Sequence, residues 1–116
     1  MKIKAKSKYL PETVVTVEVG KYTDNGRTAI EFSSAEIENE GERLLTASVN
    51  LPDENLPSDV IAIKDWSENE GIEACLVAAK LIELPMLATR RSGFVHVPIY
   101  KKGEALLQLE KETFGE

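Results

Sequence analysis

One cysteine, one histidine and one tryptophan occur in 116 residues, and aromatic side chains make up only 6% of the chain. The lone Cys75 cannot close an internal disulfide, which excludes a stapled secreted scaffold and fits a reducing cytoplasm. The lone His96 excludes paired-histidine metal sites. Neither C-x-x-C nor D-x-D-x-D-G spacing occurs, and no glycine-rich phosphate loop is present, so no metal or cofactor is expected. The longest apolar run, Cys75–Ala79, has five residues, against the roughly 20 needed to cross a bilayer. The first residues alternate lysine with small or apolar residues and no apolar core follows, so neither a secretory leader nor a membrane partner is expected.

What remains is ordinary globular composition, 42% hydrophobic and 29% charged, in a length that suits one domain over residues 1–116. The net charge is −6. It is unevenly spread: Lys2, Lys4, Lys6 and Lys8 crowd the lysine-rich segment 1–10, and without them ten basic residues face twenty acidic ones. Such a body lacks the basic patch that phosphate backbones require, so duplex nucleic acid is not an expected partner. Nothing in the pattern specifies an oligomeric state.

Hydrophobic periodicity supplies the elements. Lys2–Lys8 has a period of two and reads as an edge strand guarded by lysine. Thr13–Val19 is β-branched almost throughout, Gly20 ends it, and Asp24-Asn25-Gly26 predicts a type I′ hairpin turn into a second strand, Arg27–Phe32. Arg43–Asn50 reads as the next strand. Leu51–Asp59, with Pro52 and Pro57, reads as an exposed loop, and Val60–Lys64 as a short buried strand. Ile72, Cys75, Leu76, Ala79 and Ile82 form one apolar stripe, which predicts a helix from about Glu68 to Glu83, stopped by Pro85. Arg90–Gly93 then reads as a turn and Phe94–Tyr100 as a final strand. Pro98, lacking an N–H, puts that strand at an edge or a bulge. The tail 101–116 suits a short helix over Glu104–Phe114, loosely held. The expected fold class is α+β: a mostly antiparallel sheet of four to six strands packed on one central helix, with a short C-terminal helix.

The segment Ile63–Gly71, IKDWSENEG, is the most informative. Ser67 and Glu70 match an S-x-x-E capping box, so Lys64, Asp65 and Trp66 are expected at a rigid strand-to-helix junction. Tryptophan there either staples onto the helix or stands free as a binding platform. With Asn25, Arg27, Arg90 and Arg91 converging on it, Trp66 and Lys64 would suit a nucleotide-like ligand, base on indole and phosphates on arginines. Glu36, Glu38, Glu40 and Glu42 fall two apart. In an extended chain all four carboxylates point one way, close to the spacing of phosphates along a nucleic-acid strand. Catalysis is not expected: His96 reads as a partly buried structural residue and Cys75 as an inert core residue, and no base, nucleophile and orienting group are grouped.

Four blocks, NGRTA (Asn25–Ala29), TASVNLPDENL (Thr46–Leu56), VIAIKDWSENEG (Val60–Gly71) and GFVHVPI (Gly93–Ile99), together resemble a family of small uncharacterised proteins. Bacteriophages and bacterial mobile elements encode them, and the resemblance spans Lys21 to Tyr100. It implies a cytoplasmic accessory factor in a bacterial host that blunts a defence or nucleic-acid-handling protein by binding it. The partner-binding residues expected are then Lys64, Asp65, Trp66, Glu36, Glu38, Glu40 and Glu42. A small-ligand binder using Trp66, Asn25, Arg27, Lys64, Arg90 and Arg91 is the other expectation.

Overall fold

The computed structural model of the protein describes residues 1–36, 38 and 40–115. Among these, the elements run β1 (Lys2–Ala5), β2 (Thr13–Lys21), β3 (Thr28–Ser34), β4 (Arg43–Thr46), β5 (Val60–Ala62), α1 (Ile72–Ala78), β6 (Ile82–Ser92), β7 (Val95–Lys102) and α2 (Glu104–Phe114). The fold is α+β and every strand pairing is antiparallel. The expected short C-terminal helix is present as α2, but the strands divide into two sheets, ordered β1-β2-β3-β4 and β5-β7-β6, in place of one.

The first sheet is a meander. Val15 and Val17 of β2 point into the core, while Val14 and Glu18 on either side of them are exposed and Thr16 between them is half-buried, the alternation that the β-branched run requires. Lys2 and Lys4 stand exposed on β1, at the open edge of this sheet. At the β2–β3 hairpin, Tyr22 N–H donates to Arg27 O and Gly26 N–H to Tyr22 O, each at 2.8 Å. Gly26 alone takes positive φ there, at 72°, so the turn is a four-residue loop closed by a left-handed glycine and not type I′.

β4 is half the expected length because Ser48 replaces it. The buried Ser48 hydroxyl accepts the Ile30 N–H at 2.9 Å, so a side chain meets the donor that a continuing strand would. From there the chain crosses to the second sheet. Val49 N–H donates to Ala62 O at 3.1 Å, and Lys64 N–H to Ala47 O at 2.9 Å. The two sheets are stitched together by this crossing.

β7 is the central strand of the second sheet, not an edge. Pro98 is tolerated because its carbonyl accepts from Ile63 N–H at 3.1 Å, one residue past the end of β5. The reciprocal donor that proline lacks is missing where β5 has already stopped.

The helix predicted over Glu68–Glu83 breaks into three pieces: a 3₁₀ turn at Ser67–Asn69, α1, and the start of β6. The capping box does not form; Trp66 is the cap residue of the 3₁₀ turn, and neither it nor Gly71 before α1 makes a side-chain cap. Pro85 does not stop α1 either. Lys80 takes φ of 61°, its N–H donates to Val77 O at 3.0 Å, and Leu81 N–H donates to Leu76 O at 2.9 Å. That pair of bonds is a Schellman stop, with the buried Leu81 as its hydrophobic latch. Pro85 lies instead inside β6, after a cis peptide bond. Arg90, Arg91 and Ser92 also belong to β6, so the turn into β7 is shorter than predicted.

Both sheets and both helices share one core. Val15, Val17, Ile30 and Phe32 come from the first sheet, Ile61, Ile82 and Tyr100 from the second, Ile72 and Leu76 from α1 and Leu106 from α2. Each fully buried aliphatic side chain contributes roughly 1.5–3 kcal/mol. Within the tail, α2 is anchored to the core by Leu106, which is wholly buried. No helix among the described residues is long and apolar enough to cross a membrane.

Candidate functional site

The strand-to-helix junction is a place where the chain holds itself together. Lys64 Nζ pairs with the Glu68 carboxylate, a contact that brings the carboxyl down to about 2, its hydrogen bond from Lys64 being the main cause. The 3₁₀ turn accepts from the N-terminal segment twice: Ser7 Oγ donates to Glu68 O at 2.7 Å, and Lys8 N–H to Glu70 O at 2.9 Å. Asn69 is fully buried and its side-chain amide donates to Thr46 O at 2.7 Å. Trp66 neither staples onto α1 nor stands free. It lies half-buried against a second apolar cluster of Leu51, Ala62, Val97 and Ile99. Asp65 is half-buried, and desolvation raises its carboxyl above the ordinary range.

The four glutamates do not form an extended row. The chain bends at Glu36 and turns at residues 40–41, where Gly41 takes φ of 86°. Ser34 N–H donates to Glu42 O at 2.7 Å, closing the loop. Glu36 accepts from the Thr13 hydroxyl at 3.2 Å, while Glu38, Glu40 and Glu42 are exposed. The even spacing of phosphates along a strand is not reproduced.

Arg27 and Arg90 meet at one loop, and Arg91 does not join them. Arg27 donates to the carbonyls of Leu51 and Glu54, and Arg90 Nε pairs with the Glu54 carboxylate at 3.0 Å. Two guanidinium groups thus pin the proline-bearing loop. Arg91 Nε donates to Gly93 O at 3.1 Å, at the exposed β6–β7 turn. His96, expected to be partly buried, is exposed opposite Arg91. Cys75 is half-buried, packed against the main core from its margin, and its sulfur accepts from Lys6 N–H at 3.2 Å.

Asn25 and Arg27 do meet a concave site, without Trp66. A cleft of about 600 Å³ opens between the β2–β3 hairpin, the proline-bearing loop and α2, within the roughly 300–1,000 Å³ of small-molecule sites. Its hairpin wall carries Lys21, Tyr22, Asn25, Arg27 and Thr28. Its loop wall brings Leu51, Leu56 and Asp59, and its helical wall Leu107, Glu110, Lys111 and Phe114, with Lys102 at the end of β7. The helical residues are spaced 3, 1 and 3, one face of a helix, which is the pattern by which the tail could have been recognised as a wall.

The electrostatics of this cleft oppose those of the molecule. Four cations, Lys21, Arg27, Lys102 and Lys111, face two carboxylates, Asp59 and Glu110, in a protein of net charge −6. Lys102 Nζ pairs with Glu110 Oε2 at 2.7 Å, their side chains only 10% and 17% exposed. The Thr28 hydroxyl donates to the same Oε2. Lys21 Nζ sits 4.6 Å from the centre of the Phe114 ring, a cation–π contact. The Tyr22 hydroxyl lies 2.9 Å from Ser48 Oγ, and burial raises its titration. Among the described residues Lys21 and Lys111 have no carboxylate partner, and no group of ligating side chains suits a metal ion. Anionic groups have cations to meet here, and uncharged ones have the leucines and aromatic rings.

A second surface is apolar. Between Glu83, opposite Lys101, and Ala88, opposite Ile99, the four residues Leu84–Leu87 of β6 stand against Tyr100 alone. They bulge from the sheet edge, leaving Leu84 57%, Met86 46% and Leu87 54% exposed. No family model, curated protein or solved structure matches the chain.

Proposed function

We propose that the protein is a non-enzymatic binding protein whose working site is the cationic cleft, and that it sequesters a small anionic ligand of nucleotide-like character. The carrying observation is the excess of two positive charges within a concave site on an acidic molecule. Phosphates would face Lys21, Lys111 and Arg27, and the uncharged moiety would lie against Tyr22, Leu56 and Phe114. A thermal-shift panel of pyrophosphate, mononucleotides and cyclic dinucleotides tests this. A ligand at 100 times its Kd adds about 2.7 kcal/mol to stability, so a binder raises Tm clearly. Lys21→Glu with Lys111→Glu is expected to remove the shift. No shift from any member at millimolar concentration overturns the reading.

A second reading, for a different surface, is favoured by the apolar bulge Leu84–Leu87. On it, the protein is a cytoplasmic accessory factor of a phage or mobile element that inhibits a host defence or nucleic-acid-handling protein by contact. Exposed apolar residues rimmed by charge mark such contacts, and the four sequence blocks supply the biological context. A tagged pull-down from bacterial lysate beside Met86→Glu/Leu87→Glu checks it. A stoichiometric host protein lost in the variant supports it; identical recoveries from both overturn the role of the bulge.

A further inference from the structure

Resting on the cleft reading above, we propose that the Glu110 carboxylate is an internal stand-in for the ligand's anionic group. The ligand's phosphate takes its place on Lys102 Nζ and Thr28 Oγ1, and the Glu110 side chain turns away.

Three observations converge on this. First, one oxygen, Glu110 Oε2, accepts from both donors, with Lys102 Nζ at 2.7 Å. A cation and a hydroxyl on a single acceptor make a two-point anion subsite, and it is the carboxylate of α2 that fills it. Second, the subsite lies inside the cleft and near further cations. Lys21 is paired with Thr28 across the hairpin and stacks on Phe114, and Lys111 follows Glu110. A phosphate, with more charge and three acceptor oxygens, can engage these as well as Lys102, whereas a single carboxylate engages only the two donors it has. Third, the donor and acceptor sides belong to different parts of the chain. Lys102 and Thr28 are on strands, and Glu110 is on the C-terminal helix. Glu110 can swing out without breaking a sheet, and α2 stays anchored by the buried Leu106.

The test is a calorimetric titration of pyrophosphate into wild type, Glu110→Gln and the double variant Lys102→Met/Glu110→Gln. Removing the competing carboxylate is expected to tighten binding on the order of ten-fold, the scale of one charge-assisted hydrogen bond. The double variant is expected to lose that gain. Amide NMR of the wild type provides a measurement that needs no variant to fold: Thr28, Lys102 and Glu110 are expected to shift together as pyrophosphate saturates. Binding that leaves these three signals still, or a Glu110→Gln affinity equal to or weaker than wild type, overturns the stand-in and leaves the cleft reading standing. Absence of binding by wild type and both variants overturns the cleft reading itself.

Discussion

Around the start of α1 a few side chains set the balance of charge. Tyr100 is buried and its hydroxyl donates to the Glu73 carboxylate, so burial first and the carboxylate second push its titration far up. Asp65 is raised too, by desolvation first, with Glu73 adding repulsion. A carboxyl that holds its proton more tightly folded than unfolded favours the fold when protonated. That contribution is full below the ordinary value of 3.8 and is lost as pH rises through the raised value. Asp65→Asn, uncharged throughout, is therefore expected to melt higher than wild type at neutral pH, with the gap closing near about pH 3. Asp65 is only half-buried, so solvent screening keeps the gain below about 1 kcal/mol. Melting curves of both proteins across that range check it, and a variant less stable at neutral pH would contradict it.

Among elements, the passage from α1 through β6 to α2 carries the sharpest backbone demands. Lys80 occupies a left-handed position that glycine fills without penalty, and its ion pair with Glu104 is exposed on both sides. Lys80→Gly is expected to stabilise by about 0.5–1 kcal/mol, strain relief exceeding the small worth of a surface pair. Gly103 has the opposite constraint. Its N–H donates to Leu81 O at 2.9 Å, and a Cβ there would stand 2.1 Å from Lys80 O. Gly103→Ala must push α2 off the turn after α1, at a cost of about 3 kcal/mol. Urea unfolding of the two variants beside wild type gives both signs. Equal effects would mean that the turn after α1 does not set where α2 docks.

For the whole molecule, the radius of gyration of 13.5 Å fits the ordinary packing of about 13 Å for 100 residues. A compact shape joins the β2–β3 hairpin, a proline loop and the last helix into one cleft, although they lie far apart in sequence. Its charge opposes that of the body, so the anion binding proposed there would be electrostatic and screened. Affinity for pyrophosphate is expected to fall several-fold between about 50 and 300 mM salt, as the Debye length shortens past the size of the cleft. Titrations at the two ionic strengths check this, and an unchanged affinity would point to apolar contact as the source of binding.

The chain alone specified the fold class, the presence and order of β1 to β3 and the span of α2, because alternation and helical spacing are local properties; it missed the strand ends, since β1 stops at Ala5 and β2 continues through Gly20 to Lys21. It did not determine α1. The stripe from Ile72 to Ile82 is real, but Ile82 is buried on a strand, because Leu81 and the left-handed Lys80 let the chain turn and pair β6 with β7. The capping motif at Ser67 likewise yielded to bonds from the N-terminal segment. Of the expected ligand-binding residues, Asn25 and Arg27 reach the cleft, since the hairpin that carries them is local. Trp66, Lys64, Arg90 and Arg91 do not line it, because each found an apolar cluster, a carboxylate or a carbonyl nearby. Lys102, Glu110 and Lys111 were invisible as a site until α2 docked. Which charges meet is decided by where Leu106 buries the helix, a long-range packing event that no local pattern encodes.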